Sequence, residues 1–109
     1  MKIVSNVAVT DRAAAIFASE VKKQRPGSRE VLVLHFMPSF SNADGAPVDG
    51  FSPGYTIDHV ANQDFGPLWL MARLSDGTAF RFVPKFEWSA DRHYIVDQAS
   101  AYTLSIEVI

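Results

Sequence analysis

Three histidines have side chains that could bind a metal ion or transfer protons: His35, His59 and His93. Each falls in or beside a different predicted strand, so a sheet that gathers His35 and His59 would offer two nitrogen ligands. The carboxylates that could join them as oxygen ligands, or act as general acids or bases, are Asp58, Asp97 and Glu107. Their spacing does not require a shared site, and packed or surface histidines are the alternative.

The segment Gly50-Phe51-Ser52-Pro53-Gly54 matches the G-x-S-x-G pattern of a serine nucleophile elbow. The residue after the nucleophile must donate its backbone N–H to the oxyanion, and Pro53 has no N–H to donate. A loop precedes the motif and a predicted strand follows it, whereas the elbow joins a strand to a helix. We therefore interpret the motif as a tight turn, and the sequence favours a protein that is not an enzyme.

A long polar loop over residues 37–53, rich in Ser, Asn, Asp, Gly and Pro, interrupts an otherwise apolar chain. Loops of this length inside a small domain are usually functional or disordered. Aromatic residues in and around the loop favour an ordered loop over a site, because disordered linkers tend to lack them. The residues predicted to bind a partner or ligand are Phe36, Phe40, Phe51, Tyr55 and Trp69. A plain aromatic sheet core is the alternative reading of the same residues.

The composition excludes several classes of function. The chain has no cysteine, which removes disulfides, thiolate metal sites and cysteine nucleophiles, and we expect no cofactor. Its net charge is −2, and its one basic cluster, Lys22, Lys23, Arg25 and Arg29, lies at the C-terminal end of a predicted helix, where cations complement the helix dipole. Nucleic-acid binding is therefore disfavoured. No run approaches the about 20 apolar residues that span a bilayer, and no secretory signal opens the chain. We expect a cytoplasmic protein with no membrane contact.

At 109 residues with 48% hydrophobic content, the chain is long and apolar enough for one domain over residues 1–109. The patterns predict an α+β fold: a mostly antiparallel β-sheet, in one layer or folded into two, with one N-terminal amphipathic helix. Residues 3–9 are a predicted strand. The predicted helix covers residues 11–24, is capped by Thr10 or Asp11, and ends before Pro26-Gly27. Its predicted apolar face is Ala14, Phe17, Ala18 and Val21.

Further strands are predicted over residues 31–36, 55–60, 68–74, 79–83, 94–96 and 102–108. Asp76-Gly77 lies between two alternating apolar runs and predicts a two-residue hairpin with a primed turn. In that register Leu74 faces Ala79 and Met71 faces Phe82. Both faces of the hairpin are then largely apolar, which requires a second sheet layer or a partner chain to cover one of them.

With this order of elements, the N-terminal half resembles the HesB-like, A-type iron–sulfur carrier domain. The resemblance rests on Val9-Thr10-Asp11-Arg12-Ala13-Ala14-Ala15 and on Gly50-Phe51-Ser52-Pro53-Gly54-Tyr55. The second segment lies where that family has Gly-Cys-Ser-Gly followed by Tyr. Phe51 replaces the cysteine, and the family's paired C-terminal cysteines have no counterpart. The resemblance implies a HesB-like fold in the first half, without cluster carriage.

A second resemblance, to a small uncharacterised family associated with acetaldehyde dehydrogenases, covers more of the chain. Members carry a Gly-Cys-Cys-Asp-Gly loop after a buried strand, where this chain has Ser41-Asn42-Ala43-Asp44-Gly45-Ala46-Pro47. Closing segments that look similar are Gly77-Thr78-Ala79-Phe80, Phe86-Glu87-Trp88 and Tyr102-Thr103-Leu104-Ser105-Ile106-Glu107. Asn42 and Ala43 stand at the cysteine positions. The resemblance implies a fold and a protein partner, but no reaction.

Together these features predict a non-catalytic accessory or protein-binding module, a cysteine-free relative of carrier-like domains. We expect a protein partner or self-association as a homodimer. The rival hypothesis is a small-molecule or metal-binding site, with or without enzymatic activity, built from the strand histidines under the loop over residues 37–53.

Overall fold

The computed structural model describes residues 1–39 and 41–109. The predicted binding residue Phe40 lies outside the described residues. The described residues form eight strands and one helix, in the order β1 (Lys2–Ile3), β2 (Val7–Val9), α1 (Asp11–Lys22), β3 (Glu30–Met37), β4 (Gly54–Ala61), β5 (Leu70–Arg73), β6 (Ala79–Phe82), β7 (Tyr94–Gln98) and β8 (Leu104–Val108). The prediction of a β-rich fold with a single N-terminal helix is confirmed.

The eight strands form one sheet in the order β1-β5-β6-β3-β4-β8-β7-β2. Neighbours β3·β4, β4·β8, β5·β6 and β7·β8 are antiparallel. The pairs β1·β5, β2·β7 and β3·β6 are parallel, so the sheet is mixed and the prediction of a mostly antiparallel sheet is corrected. The parallel pairs join strands that are distant in the chain, and hairpin signals in the sequence report only local antiparallel pairing.

The sheet curls, because its two edge strands follow each other in the chain. β1 and β2 lie at opposite edges, yet only residues 4–6 connect them. The four Cα steps from Ile3 to Val7 reach at most about 14 Å. The predicted single strand over residues 3–9 is therefore wrong: the chain leaves one edge of the sheet and joins the other edge within three residues.

The helix begins as the sequence predicts. Thr10 is the N-cap, and its Oγ1 accepts the Ala13 N–H at 3.2 Å. The helix ends at Lys22, two residues earlier than expected, with Lys23 as C-cap. No helix in the described part of the chain is long and apolar enough to cross a membrane.

The helix packs its buried face into the curl of the sheet. Ala13 and Phe17 are fully buried, and the Phe17 ring lies 5.0 Å from that of Phe80. Val21, a member of the predicted apolar face, is instead 39% exposed. The buried face is thus rotated by about one residue from the prediction, because several alanines allow more than one apolar stripe on this helix.

The hairpin between β5 and β6 has a three-residue loop instead of the predicted two-residue turn. Gly77 N donates to Leu74 O at 3.0 Å, and Leu74 N donates to Thr78 O at 2.8 Å. Gly77 has a φ of 91°, whereas none of the non-glycine residues described has a positive φ. A primed turn would need positive φ at Asp76 as well, so the loop is a type I turn followed by a glycine bulge.

The longer loop shifts the strand register by one residue. Leu70 faces Phe82 and Ala72 faces Phe80, so the predicted pairing of Met71 with Phe82 is wrong. A shift of one residue moves every side chain to the other face of a strand. The buried cluster on the concave face therefore contains Leu70, Ala72, Phe80 and Phe82.

Candidate functional site

Two of the predicted binding residues meet across β3 and β4. The Phe36 and Tyr55 rings lie 5.3 Å apart, edge to face. Tyr55 is only 4% exposed, and its hydroxyl accepts the Lys85 N–H at 3.1 Å. Burial raises the pKa of the Tyr55 hydroxyl, although the Lys85 hydrogen bond acts in the opposite direction. In this arrangement Tyr55 joins β4 to the segment after β6.

Trp69, another predicted binding residue, belongs to a different aromatic cluster. The Trp69 ring packs 5.1 Å from that of Phe65, which also lies under the Arg81 guanidinium. Phe51 is half-buried in the segment that precedes β4. The structure therefore brings Phe36 and Tyr55 together and places Trp69 in a separate aromatic cluster, and the binding roles of these residues stay predictions.

The structure does not bring the two predicted metal-binding histidines together. His59 of β4 pairs with Leu32 of β3, and Leu32 is three positions before His35 in the same strand. Because side chains alternate between the faces of a strand, the two imidazoles project from opposite faces of the sheet. Over residues 1–39 and 41–109, no three His, Cys, Asp or Glu side chains form a group that could hold a metal ion.

His59 instead pairs with the helix. Its Nε2 lies 2.9 Å from Glu20 Oε2, while Lys23 Nζ donates to Glu20 Oε1 at 3.0 Å. Burial by itself raises the pKa of Glu20, but the hydrogen bonds to His59 and Lys23 outweigh burial and lower it below the ordinary value. Glu20 borders a cavity of about 310 Å³ between α1 and β4. The pair ties α1 to β4.

The end of β8 has one backbone edge without a hydrogen-bond partner among the described residues. At the two ends of the β7·β8 ladder, Ile109 N donates to His93 O at 2.8 Å and Ala99 N donates to Thr103 O at 2.9 Å. Opposed residues of an antiparallel ladder alternate between bonded and non-bonded pairs. The backbone groups of Ser105 and Glu107 therefore face β7. The backbone groups of the alternate residues face away from β7; these residues are Leu104, Ile106 and Val108.

On that outer side, β4 pairs with β8 only through Tyr55 and Leu104. Continued pairing would set Pro53 opposite Ile106, and proline has no N–H for the ladder. Among the residues described, no backbone hydrogen bond joins Ile106 or Val108 to the chain before β4. The strand edge from Ile106 to Val108 is therefore open.

Glycine at position 54 allows the last contact before the edge opens. A Cβ at Gly54 would lie 2.6 Å from Leu104 O and 2.9 Å from Thr103 Cβ. Thr103 Oγ1 also donates to Ser52 O at 2.9 Å. The end of the loop over residues 37–53 thus borders the start of β8, where the two strands separate.

A groove of about 610 Å³ runs beside the open edge. The apolar residues Phe86, Tyr94, Ile106 and Val108 line it, together with the charged residues Glu87 and Arg92 and the part of β8 at Glu107. The Phe86 ring lies 5.4 Å from that of Tyr94, and the Trp88 ring stacks on Tyr94 at 4.1 Å. The groove therefore has an aromatic wall, with the charged residues Glu87 and Arg92 beside it.

Sequence reasoning missed this groove. Phe86 and Trp88 belong to a segment between strands that shows no period of two or 3.6, and alternation in β8 gives the faces of a strand but not the pairing of its edges. The signal that could have indicated the open edge is Pro53, two residues before the predicted strand over residues 55–60.

Comparison with protein-family models, with curated proteins and with solved structures gave no match. The resemblances to the HesB-like domain and to the family associated with acetaldehyde dehydrogenases therefore stay predictions.

Proposed function

We propose that this protein is a non-catalytic binding module that captures an extended segment of another protein as an additional strand beside β8. The observation that carries the proposal is the open backbone edge at Ile106 and Val108, bordered by the aromatic groove. An extended peptide that pairs with a sheet edge gains main-chain hydrogen bonds, and neighbouring pockets select its side chains.

The groove determines which side chains the segment carries on one face. Ile106 and Val108 pair with Val96 and Tyr94 and share their concave face of the sheet. Residues of the incoming strand opposite Ile106 and Val108 would therefore face the wall formed by Phe86 and Tyr94. Apolar side chains at these two positions would bury surface against the rings, which stabilises the complex.

The charge at Glu107 determines the residue between them. Glu107 projects from the opposite face, and none of the ion pairs among the described residues includes it. A basic residue directly opposite Glu107 would form a favourable cross-strand pair. The preferred segment therefore has the pattern apolar, basic, apolar.

A second copy of this chain fits the edge less well. Antiparallel self-pairing that uses the free groups of both Ile106 and Val108 must place Glu107 opposite Glu107 of the other copy. Like charges directly opposite each other destabilise a strand pair. The charge pattern therefore favours a different protein over a homodimer at this edge.

Two synthetic peptides test this proposal: one with a lysine between two valines, and one with glutamate in place of the lysine. Each peptide is titrated into the isotope-labelled protein, and binding is monitored by NMR. The lysine peptide should bind saturably, and the glutamate peptide should bind much more weakly. Val108→Pro removes the outward N–H without removing a bond to β7, and it should abolish binding. Val108→Ala, which keeps that N–H, is the matched control.

Equal affinity of Val108→Pro and Val108→Ala for the lysine peptide would contradict strand addition. Equal affinity of the two peptides would contradict the role of Glu107. A dimer that the Val108→Pro substitution converts to monomer, seen by analytical ultracentrifugation, would show that a second copy is the occupant instead.

A further inference from the structure

Two arginines lie close together on the convex face of the sheet, away from the β8 edge. Arg81 of β6 faces Met71 of β5, and Arg73 of β5 faces Ala79 of β6. The two arginines are therefore diagonal neighbours on one face of an antiparallel pair, where long side chains reach each other. Within residues 1–39 and 41–109, neither arginine forms an ion pair.

Arg81 is held in place but incompletely hydrogen-bonded. Its guanidinium carbon lies 5.4 Å from the centre of the Phe65 ring, over the ring face, which is a cation–π contact. Its Nε is buried and has no hydrogen-bond partner among the described residues. Burial, and then the nearby charge of Arg73, lower the pKa of Arg81, yet an arginine stays protonated in proteins.

Both side chains line a cavity of about 340 Å³. Gln24 and Thr78 add polar groups to its wall. The wall also contains the acid Glu30, whose Oε1 accepts a hydrogen bond from Ser28 Oγ at 3.1 Å; none of the ion pairs among the described residues joins Glu30 to either arginine. Arg73 uses one N–H to donate to Gly77 O at 3.2 Å, which leaves most of its five donors free.

We propose that this cavity binds the oxyanion group of a small ligand, either a phosphate or a carboxylate. Two adjacent guanidinium groups without a carboxylate partner repel each other, and an anion between them would relieve that repulsion and accept several hydrogen bonds. Guanidinium groups match both anions in a planar, two-point geometry.

The test is a titration of the full chain with phenyl phosphate and, separately, with benzoate. NMR detects the Arg81 Nε–H signal directly, and calorimetry gives the affinity. At least one anion should bind saturably and shift that signal. Arg73→Gln and Arg81→Gln should each weaken binding at least about tenfold, the value of one charge-assisted hydrogen bond. Arg29→Gln, at an exposed arginine outside the cavity, should leave the affinity unchanged.

The two probes also separate the sources: binding of phenyl phosphate alone indicates a phosphorylated ligand, and binding of benzoate alone indicates a carboxylic acid. If neither anion binds at about 20 mM, where even very weak sites fill, the proposal is overturned. Equal weakening by Arg29→Gln overturns it too. Arg73 is exposed, so Arg73→Gln should fold. Its anion affinity therefore tests the proposal even if Arg81→Gln fails to fold.

Discussion

Thr10 Oγ1 donates a hydrogen bond to Asp97 Oδ1 at 2.7 Å, and the same hydroxyl accepts the Ala13 N–H at 3.2 Å. One hydroxyl therefore caps α1 and joins the helix to the end of β7. Arg12 closes the arrangement, because its guanidinium donates to Asp97 Oδ2 at 2.7 Å. The helix is thus fixed against the same strand that supports the open edge of β8.

This network predicts acid sensitivity. Hydrogen bonds from Arg12, Thr10 and the Gln98 N–H lower the pKa of Asp97 to about 2, against about 3.9 in an unfolded chain. A carboxyl whose pKa is lower in the folded state stabilises the protein above its unfolded pKa, and this stabilisation disappears as the pH falls from about 4 to about 2.

Urea unfolding of the wild type and of Asp97→Asn at several pH values checks this prediction. The difference in the free energy of unfolding between the two proteins should be largest near neutral pH and should shrink below about pH 4. The pKa of Glu20 is also lowered. Because both proteins retain Glu20, its contribution cancels in the difference between them. A difference that stays constant down to pH 2 would contradict the account.

Gly77→Ala tests the loop of the β5·β6 hairpin. Gly77 has a φ of 91°, and a residue with a Cβ in this region costs about 1–3 kcal/mol. We expect a loss of that size in the free energy of unfolding, measured with denaturant. Asp76→Gly is the matched variant: a primed turn would gain from glycine at position 76, whereas this loop would gain nothing. Stabilisation by Asp76→Gly would show that the primed turn forms.

Gly54→Ala tests the close contact of β4 with β8. The added methyl group would meet the Leu104 carbonyl oxygen at 2.6 Å, so one strand must move. Overpacking against backbone costs about 1–3 kcal/mol, and thermal unfolding should show the corresponding fall in Tm. A variant as stable as the wild type would mean that the two strands are farther apart at this point.

Phe86→Ala tests the aromatic wall of the groove. Phe86 is 36% exposed and lines the groove, so its loss should weaken binding of the valine–lysine–valine peptide at least about tenfold with little change in Tm. Leu68→Ala removes a side chain that is 77% exposed and outside the groove, and should change neither. A large fall in Tm without loss of peptide affinity would make Phe86 a structural residue only.

Sequence reasoning succeeded where the signals are local. Thr10 next to an alanine-rich run indicates a helix start, and Pro26-Gly27 indicates its end, since both depend on residues within one turn. Most strands also lie within a few residues of their predicted ranges. These features need no knowledge of the tertiary structure.

The sequence failed where the answer depends on distant partners. The parallel pairing of β3 with β6 has no local signature. The hairpin register depended on whether Asp76 and Gly77 both take a positive φ or Gly77 takes it alone. The candidate site was missed for the same reason. Pro53 leaves the backbone edge of β8 unpaired because β4 is the neighbour of β8 in the sheet. The sequence alone does not show that these two strands are neighbours.

Hydrogen exchange at individual amides of β8 is the most direct test of strand addition. Without peptide, the N–H groups of Ile106 and Val108 should exchange quickly, while that of Glu107, which faces β7, should be protected. A saturating concentration of the valine–lysine–valine peptide should slow amide exchange at Ile106 and Val108 and leave the exchange rate of Glu107 nearly unchanged. Binding that leaves the exchange of Ile106 and Val108 unaltered would contradict the account, because the peptide would then occupy a site other than the strand edge.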